Sequence, residues 1–441
     1  MAHNTPPDEP VTGSPRVSRR DLATRAGGER DPLGILERQN EARFQPLVPL
    51  RIERMSVSPF TFYRGTAAIM AADQARDPHS GILVASCGDA HLSNFGFYAS
   101  PQRTLLFDLN DFDEAAWAPW EWDVKRLVTS IVIGGRATDR KKSVIEKAAR
   151  EAVTAYVAGL HEAAAKTPLE RYYSHFDPQD TDRNLDKASR RALKLTLADA
   201  VRRTGPRAAR RLTGPDTDGK LRFIETPPAM TQVEPELVAH LEDNYEAYRR
   251  SAYVDIRALL SQYTVEDIAR RAVGVGSVGT RCFVALLRDR DGGLFILQVK
   301  EAVRSVLEEY GGIRQPDAVE EGIAEGGQGN RVVGLQRVLQ AYSDPFLGHM
   351  QGPLGDYYVR QFHDMKGSVD VEQLEDAPFI RYARVCARVL ARAHGQSPRF
   401  TEVVGYVGKG RRVTESIVAW SYDYADVSLA DYRAFIAAQR H

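Results

Sequence analysis

The chain has 441 residues, 43% hydrophobic and 27% charged, enough apolar content for a sizeable core at a length that favours two lobes or two to three domains. Lysine plus arginine and aspartate plus glutamate number 59 each, so no overall field points toward nucleic acid or an anionic membrane. Cys87, Cys282 and Cys386 lie far apart without CxxC spacing, which argues against a zinc cluster or disulfide framework. No apolar run approaches a membrane helix, so a cytoplasmic protein is expected.

Residues 1–30 are rich in Pro, Gly, Ser, Arg and Asp without periodicity, a composition that predicts a disordered tail. "SPFTFYRGTAAIMAADQA", Ser58 to Ala75, offers a serine cap and then helical spacing of Phe62, Ala67, Met70 and Ala71. "GILVASCGDA" reads as a short buried strand entering a polar loop. "NFGFY" and "TLLFDL" read as a hairpin joined by "ASPQR". Trp120 to about Ala165 is helical in pattern, as are residues 183–212. The latter stretch turns basic through Arg202, Arg203, Arg207, Arg210 and Arg211, a solvated helix end or, alternatively, a phosphate or substrate patch. Helices continue to Tyr263.

The character then changes. "RRAVGVGSVGTRCFVALLRDRDGGLFILQVKEA" reads as strand, glycine loop, strand, turn, strand. A helix around "GNRVVGLQRVLQAY", strands near "FLGHM" and "DYYVRQFH", and the helix "DAPFIRYARVCARVLARAHGQS" follow. The aromatic run "AWSYDYADVSLADYRAF" fits a C-terminal helix packed on the body better than a platform for stacking bases.

Two stretches carry chemistry. Gly274, Gly276 and Gly279 form a GxGxxG, with Ser277 inside it. A dinucleotide fingerprint would have to open a helix, whereas these glycines open the strand-like "TRCFVALL", the shape of a flap over ATP phosphates. Lys300 follows Gly279 by 21 residues within an apolar strand. A lysine there is costly unless paired or ligand-bound, so phosphate binding is expected, with an edge-strand lysine as the alternative. In "GDAHLSNFG", Asn94 stands five residues after Asp89, the spacing of a catalytic base and a metal-binding amide in one phosphotransfer loop. Asp108, fourteen residues on, and Asp111 compete for the second metal ligand, and a plain polar turn is the other reading of the loop.

"GDAHLSNFG" resembles the "HGDLHPGN" loop of aminoglycoside phosphotransferases and choline or fructosamine kinases, including His91, although Cys87 stands where those enzymes have a histidine. "WAPWEWDVKRL" is similar to the segment after their metal site, which implies that Asp123 braces the catalytic loop. More closely, "SPFTFYRG", "GDAHLSNFG", "FDLNDFDE", "GVGSVGTR", "QVKEA" and "YYVRQFHDMKGS" together resemble the bacterial domain of unknown function 2252, over about residues 30–435.

The resemblance implies an α+β, two-lobed, kinase-like fold. Its order is inverted, because Asp89 precedes Gly274 by 185 residues. A circular permutation accounts for this, with each element present once. The expected organisation is a tail (1–30), an N-terminal segment with the catalytic, metal-site and helical large-lobe elements (31–265), a small nucleotide lobe (266–375) and C-terminal helices (376–441). The implied function is ATP- and Mg²⁺-dependent phosphoryl transfer to a hydroxyl of an unknown small molecule, without nucleic-acid or membrane partners. Asp89 and His91 would serve catalysis, and Asn94 with Asp108 or Asp111 the metal. Gly274, Gly276, Ser277, Gly279 and Lys300 would hold phosphates, and Tyr358 and Arg360 would lie at the adenine hinge. The glutamate partner of Lys300 is open among Glu308, Glu309, Glu320 and Glu321. An inactive nucleotide-binding module and an AMP-transferring enzyme remain alternatives.

Overall fold

The computed structural model describes residues 17–439 except 177–184, 235–237, 239, 273, 353 and 363–366. Its first described residues are already packed, which corrects the tail expected over 1–30; residues 1–16 of that tail lie outside the described residues. Leu22 is wholly buried, and Arg30 ion-pairs with Asp73 and Asp431 at 2.5 and 2.8 Å. These anchors come from distant sequence, so local composition could not report them.

Four helices follow: α1 (Pro32–Glu41), α2 (Val48–Ser56), α3 (Pro59–Arg64) and α4 (Ala67–Arg76). Ser58 caps α3 through a reciprocal capping box with Thr61. The helical pattern of 58–75 is broken at Gly65 and Thr66 into two helices. Strand β1 (Leu83–Ser86) pairs with β4 (Ala116–Pro119), and β2 (Phe95–Ala99) with β3 (Leu105–Leu109) forms the expected hairpin. Helices α5 (Trp120–Ala137) and α6 (Lys142–Ala164) then build the larger body.

The chain continues through α7 (Lys187–Arg202), α8 (Gly205–Leu212), a small hairpin of Thr213–Pro215 with Leu221–Phe223, strand β5 (Met230–Gln232), α9 (Leu241–Ser251) and α10 (Val254–Leu260). Strands β6 (Tyr263–Arg271), β7 (Cys282–Asp289) and β8 (Leu294–Ala302) form a meander around the glycine loop. Helix α11 (Asp317–Leu339) leads to β9 (Gly348–Gly352) and β10 (Gly355–Gln361), giving a six-stranded antiparallel sheet in the order β9-β10-β8-β7-β6-β5. Gly327, at φ 71°, interrupts α11, and the Gln328 amide donates to Asp356 there. A short β11 (Gly367–Ser368) returns to β2, and α12 (Asp376–His394) and α13 (Arg411–Ala438) close the body.

The main core gathers Trp120, Ile131, Tyr156, Leu390 and Trp420 from α5, α6, α12 and α13. Helix α5 is buried on nearly every face, so its charged residues must find partners inside. Among them Glu121 accepts the hydroxyl of Ser80, and Asp123 and Arg126 turn to the loop after β1. The six-stranded sheet has two apolar faces by strand alternation. Phe283, Ala285, Leu297 and Val299 lie under Tyr248, Ala252, Ile256 and Leu260 of α9 and α10. Val284, Leu286 and Ile296 lie under Ala208 and Ala209 of α8. Helices α8, α9 and α10 therefore cover the small sheet rather than extend the large body as the sequence suggests. A sheet apolar on both faces needs a layer on each.

Candidate functional site

The loop after β1 is held by its backbone. Gly88 has φ 78°, and a Cβ there would lie 2.2 Å from the Glu114 carbonyl oxygen, so only glycine fits. Asp123, in the first turn of α5, accepts the amides of Cys87 at 2.8 Å and Gly88 at 3.0 Å, one on each carboxylate oxygen. His394 Nε2 lies 3.3 Å from the same carboxylate, and its Nδ1 is 2.7 Å from the Tyr156 hydroxyl. Ser130 on α5 accepts the Leu92 amide at 3.0 Å. The loop thus has the brace that the sequence resemblance implies for Asp123.

Asp89 then meets Arg126, whose Nε and Nη2 reach Oδ1 at 2.8 and 2.7 Å, while His91 Nε2 lies 3.5 Å from Oδ2. Burial pushes the Asp89 carboxyl above its ordinary range, and Arg126 opposes that shift. Burial and the nearby Arg64 and Arg126 guanidinium groups push His91 well below its ordinary value, so its imidazole is neutral at pH 7. The Asn94 side-chain amide donates to the Asp89 carbonyl at 2.8 Å.

Past β3, the run Asn110 to Glu114 alternates. Phe112 is buried in the core, while Asp111 and Asp113 both line the cleft. Lys300 ion-pairs with Asp113 and lies 3.5 Å from Asp111. Burial works against the charge on Lys300, but the two carboxylates outweigh it and hold its pKa well above the ordinary value. Tyr358, directly opposite Lys300 across β8 and β10, donates its hydroxyl to Asp113 at 2.5 Å, and Ser277 donates to the same carboxylate at 3.3 Å. Arg360 donates to Gln298 at 3.0 Å and to the Asn110 carbonyl at 3.4 Å. The rest of the expected hinge, His363 and Asp364, lies outside the described residues.

Two assignments are corrected. Asp108 is buried away from the cleft: it accepts the Ala341 amide at 2.8 Å and lies 3.4 Å from Arg392 of α12. It still belongs to β3, and the pleat directs it toward α12; only after the strand ends does the chain turn carboxylates toward Lys300. The partners of Lys300 are these aspartates, not any of the four glutamates, and Glu308 instead pairs with Arg304 at 2.6 Å.

Asp89, His91, Asn94, Asp111 and Asp113 face Gly274, Gly276 and Ser277 across a cleft of about 210 Å³. The glycine loop is docked rather than a free flap. The Phe44 amide donates to the Gly279 carbonyl at 2.7 Å, Arg43 to Val278 at 2.5 Å, and Arg54 to Gly274 at 2.7 Å. Gly279 itself closes the loop against Arg43 and does not line the cleft. Glu114, also at the cleft, accepts the Val306 amide at 2.8 Å, and burial raises its carboxyl to about 7.

Sequence reasoning missed Asp113, Glu114, Arg43, Arg64 and Arg126. The alternation in "NDFDE" was a usable signal for Asp113, since residues two apart in an extended run face one side. Arg126, three residues after Asp123 on a helix, shares its face. Arg43 and Arg64 had no local signal. Among the described residues, no three His, Cys, Asp or Glu side chains converge as a metal cluster.

The sequence matches the family described as "Uncharacterized protein conserved in bacteria (DUF2252)" over residues 43–438, and the chain belongs to that family. The match takes in every residue of the cleft discussed above from Arg43 onward. No curated protein and no solved structure matches the chain.

Proposed function

We propose that the protein is an ATP- and Mg²⁺-dependent phosphotransferase acting on a hydroxyl of a small molecule, built on a circularly permuted kinase-like fold. One observation carries the reading: Lys300, on the third strand of a glycine-loop meander, meets the Asp111–Asp113 pair beside the Asp89–Asn94 loop. Phosphoryl transfer needs a base, an amide and a carboxylate for the metal, and a lysine for the phosphates. The base, amide and carboxylates line this cleft, and Lys300, buried on β8 almost two hundred residues later, reaches two of those carboxylates from behind.

The permutation has support at the junction it requires. In unpermuted order α12 would feed β1, and Ser397, just beyond α12, accepts the Ala85 amide of β1 at 2.9 Å.

In this reading Asp89 takes the acceptor proton through Oδ2, since Arg126 engages Oδ1 and fixes the carboxylate in place. Neutral His91 borders that oxygen without competing as a cation. Asn94 and Asp111 would hold Mg²⁺, which supplies charge neutralisation at the phosphates when bound. Mg²⁺ usually takes only one or two carboxylates and completes its shell with water and phosphate oxygens, so the absence of a preformed acidic cluster fits. Asp113, fixed by Tyr358 and Ser277, orients Lys300 toward the phosphates, and the backbone of Gly274 to Ser277 faces the same space.

Titration calorimetry with Mg·ATP tests the reading, and no binding of ATP or GTP would end it. ATP labelled at the α or γ position separates AMP transfer, phosphoryl transfer and binding without turnover. Asp89→Asn keeps the side-chain shape but removes the base, so turnover, or slow ATP hydrolysis as a surrogate, should fall about 10²–10⁴-fold while Mg·ATP affinity is retained.

A further inference from the structure

We propose that Arg43 and Arg64 form a second anion subsite beside Asp89, and that the acceptor therefore carries a phosphate group of its own. The inference rests on the phosphotransferase reading and adds the substrate class to it.

Most of the charges at the cleft are paired. Asp89 is paired with Arg126, Asp111 and Asp113 with Lys300, and Glu301 with Arg281 at 2.6 Å. Arg38 has Asp31 at 3.3 Å, and Arg304 has Glu308. Arg43 and Arg64 are left without an ion pair, although Glu114, Glu301 and Asp113 lie in the vicinity of Arg43, and Asp89 and Asp111 in that of Arg64. Among the described residues neither has a carboxylate within ion-pair distance, and the Nε of each is buried without a hydrogen-bond partner. Arg43 gives one Nη to the Val278 carbonyl, a neutral acceptor.

Behind them Arg51, 1% exposed, also has only neutral acceptors: the side chains of Asn40 and Gln39 and the Gly65 carbonyl. Three guanidinium groups in one short segment, Arg51 buried and Arg43 and Arg64 half-buried, thus have no carboxylate at ion-pair distance among the described residues. An uncompensated buried cation is strongly destabilising, and a bound dianion relieves that cost. Burial already lowers Arg43 to about 10 and pushes Arg64 below its ordinary value.

Arg64 places this subsite beside the proposed base, on the side of the cleft away from Lys300. Arg64 follows Tyr63, whose carbonyl accepts Arg126 Nη2 at 2.8 Å and whose hydroxyl donates to the Arg126 carbonyl at 2.9 Å. The same Arg126 holds Asp89, so the end of α3 is registered against the proposed base. Lys300 sits on the sheet side, already engaged with Asp111 and Asp113. A phosphate on Arg43 and Arg64 would leave an acceptor hydroxyl within the same cleft as Asp89.

The test is binding of inorganic phosphate to the full chain by calorimetry, with and without saturating Mg·AMP-PNP. One phosphate site is expected in both conditions. Arg64→Gln should weaken it about 10–100-fold, the equivalent of losing a charge-assisted contact, while Mg·AMP-PNP affinity stays within about twofold. Arg43→Gln should weaken phosphate binding comparably, and only phosphate is read for that variant because Arg43 also holds the glycine loop. Arg64→Lys keeps the charge and should retain most of the binding, which controls for misfolding. Absence of a phosphate site, or phosphate binding unchanged in both glutamine variants, overturns the proposal. So does exclusion of phosphate by Mg·AMP-PNP, which would give the arginines to the nucleotide. If phosphate binds through Arg43 and Arg64 but Mg·AMP-PNP does not bind at all, the phosphotransferase reading falls, and the acceptor assignment with it, while the anion site stands.

Discussion

Replacing Asp123 by asparagine tests whether one buried carboxylate holds the Asp89–Asn94 loop. Its two oxygens accept the Cys87 and Gly88 amides at 2.8 and 3.0 Å, with His394 Nε2 at 3.3 Å. Asparagine can accept only one of these amides, and its own NH₂ then faces the other donor. His394 can adapt by changing tautomer, since its second nitrogen meets a hydroxyl of Tyr156 that can donate or accept. The stranded amide costs about 1–3 kcal/mol, and the surviving bond loses its charge assistance, so Asp123→Asn should destabilise the fold by roughly 2–4 kcal/mol. Asp123→Ala strands both amides and should cost more, roughly 4–6 kcal/mol. Urea unfolding of the three proteins measures this directly. A loss below about 0.5 kcal/mol for the asparagine variant, no more than an ordinary surface change, would refute the claim that Asp123 braces the loop.

Asp111→Asn should weaken Mg²⁺-dependent nucleotide binding by about tenfold or more, whereas Asp108→Asn should leave it within about twofold and instead cost about 1–3 kcal/mol of stability through its contact with Arg392. Equal effects on binding would undo the distinction drawn from the β3 pleat. Glu114 gives a pH-dependent test. Its carboxyl is raised from 4.5 to about 7, so between those values the folded state holds a proton that the unfolded chain has released. Its contribution to stability therefore falls as pH rises across that window and levels off above it. Glu114→Gln should match wild type near pH 4.5 and become relatively more stable by pH 8 in urea titrations; parallel curves would contradict it. Asn94→Asp adds a third carboxylate to Asp89 and Asp111, and should lower stability at pH 7 with partial recovery near pH 4, measured by thermal unfolding.

Several local features were legible because they depend on periodicity and turn chemistry. The β2–β3 hairpin, the strand–glycine loop–strand meander, the strand bearing Lys300 and the buried C-terminal helix all follow from alternation, helical spacing and glycine placement. So did the residue types of the Asp89–Asn94 loop, because five residues suffice to present a carboxylate and an amide together. The sequence by itself could not decide between Asp108 and Asp111, since that choice turns on where β3 ends and which way its pleat faces. It could not show that residues 17–30 pack, because Arg30 finds its partners 43 and 401 residues away, at Asp73 and Asp431. Nor could it show that Arg43 and Arg64 reach the cleft without an ion-pair partner among the described residues. A guanidinium group looks the same in sequence whether solvated, paired or stranded, and only the tertiary structure brings a carboxylate to ion-pair distance of some and holds it farther from others.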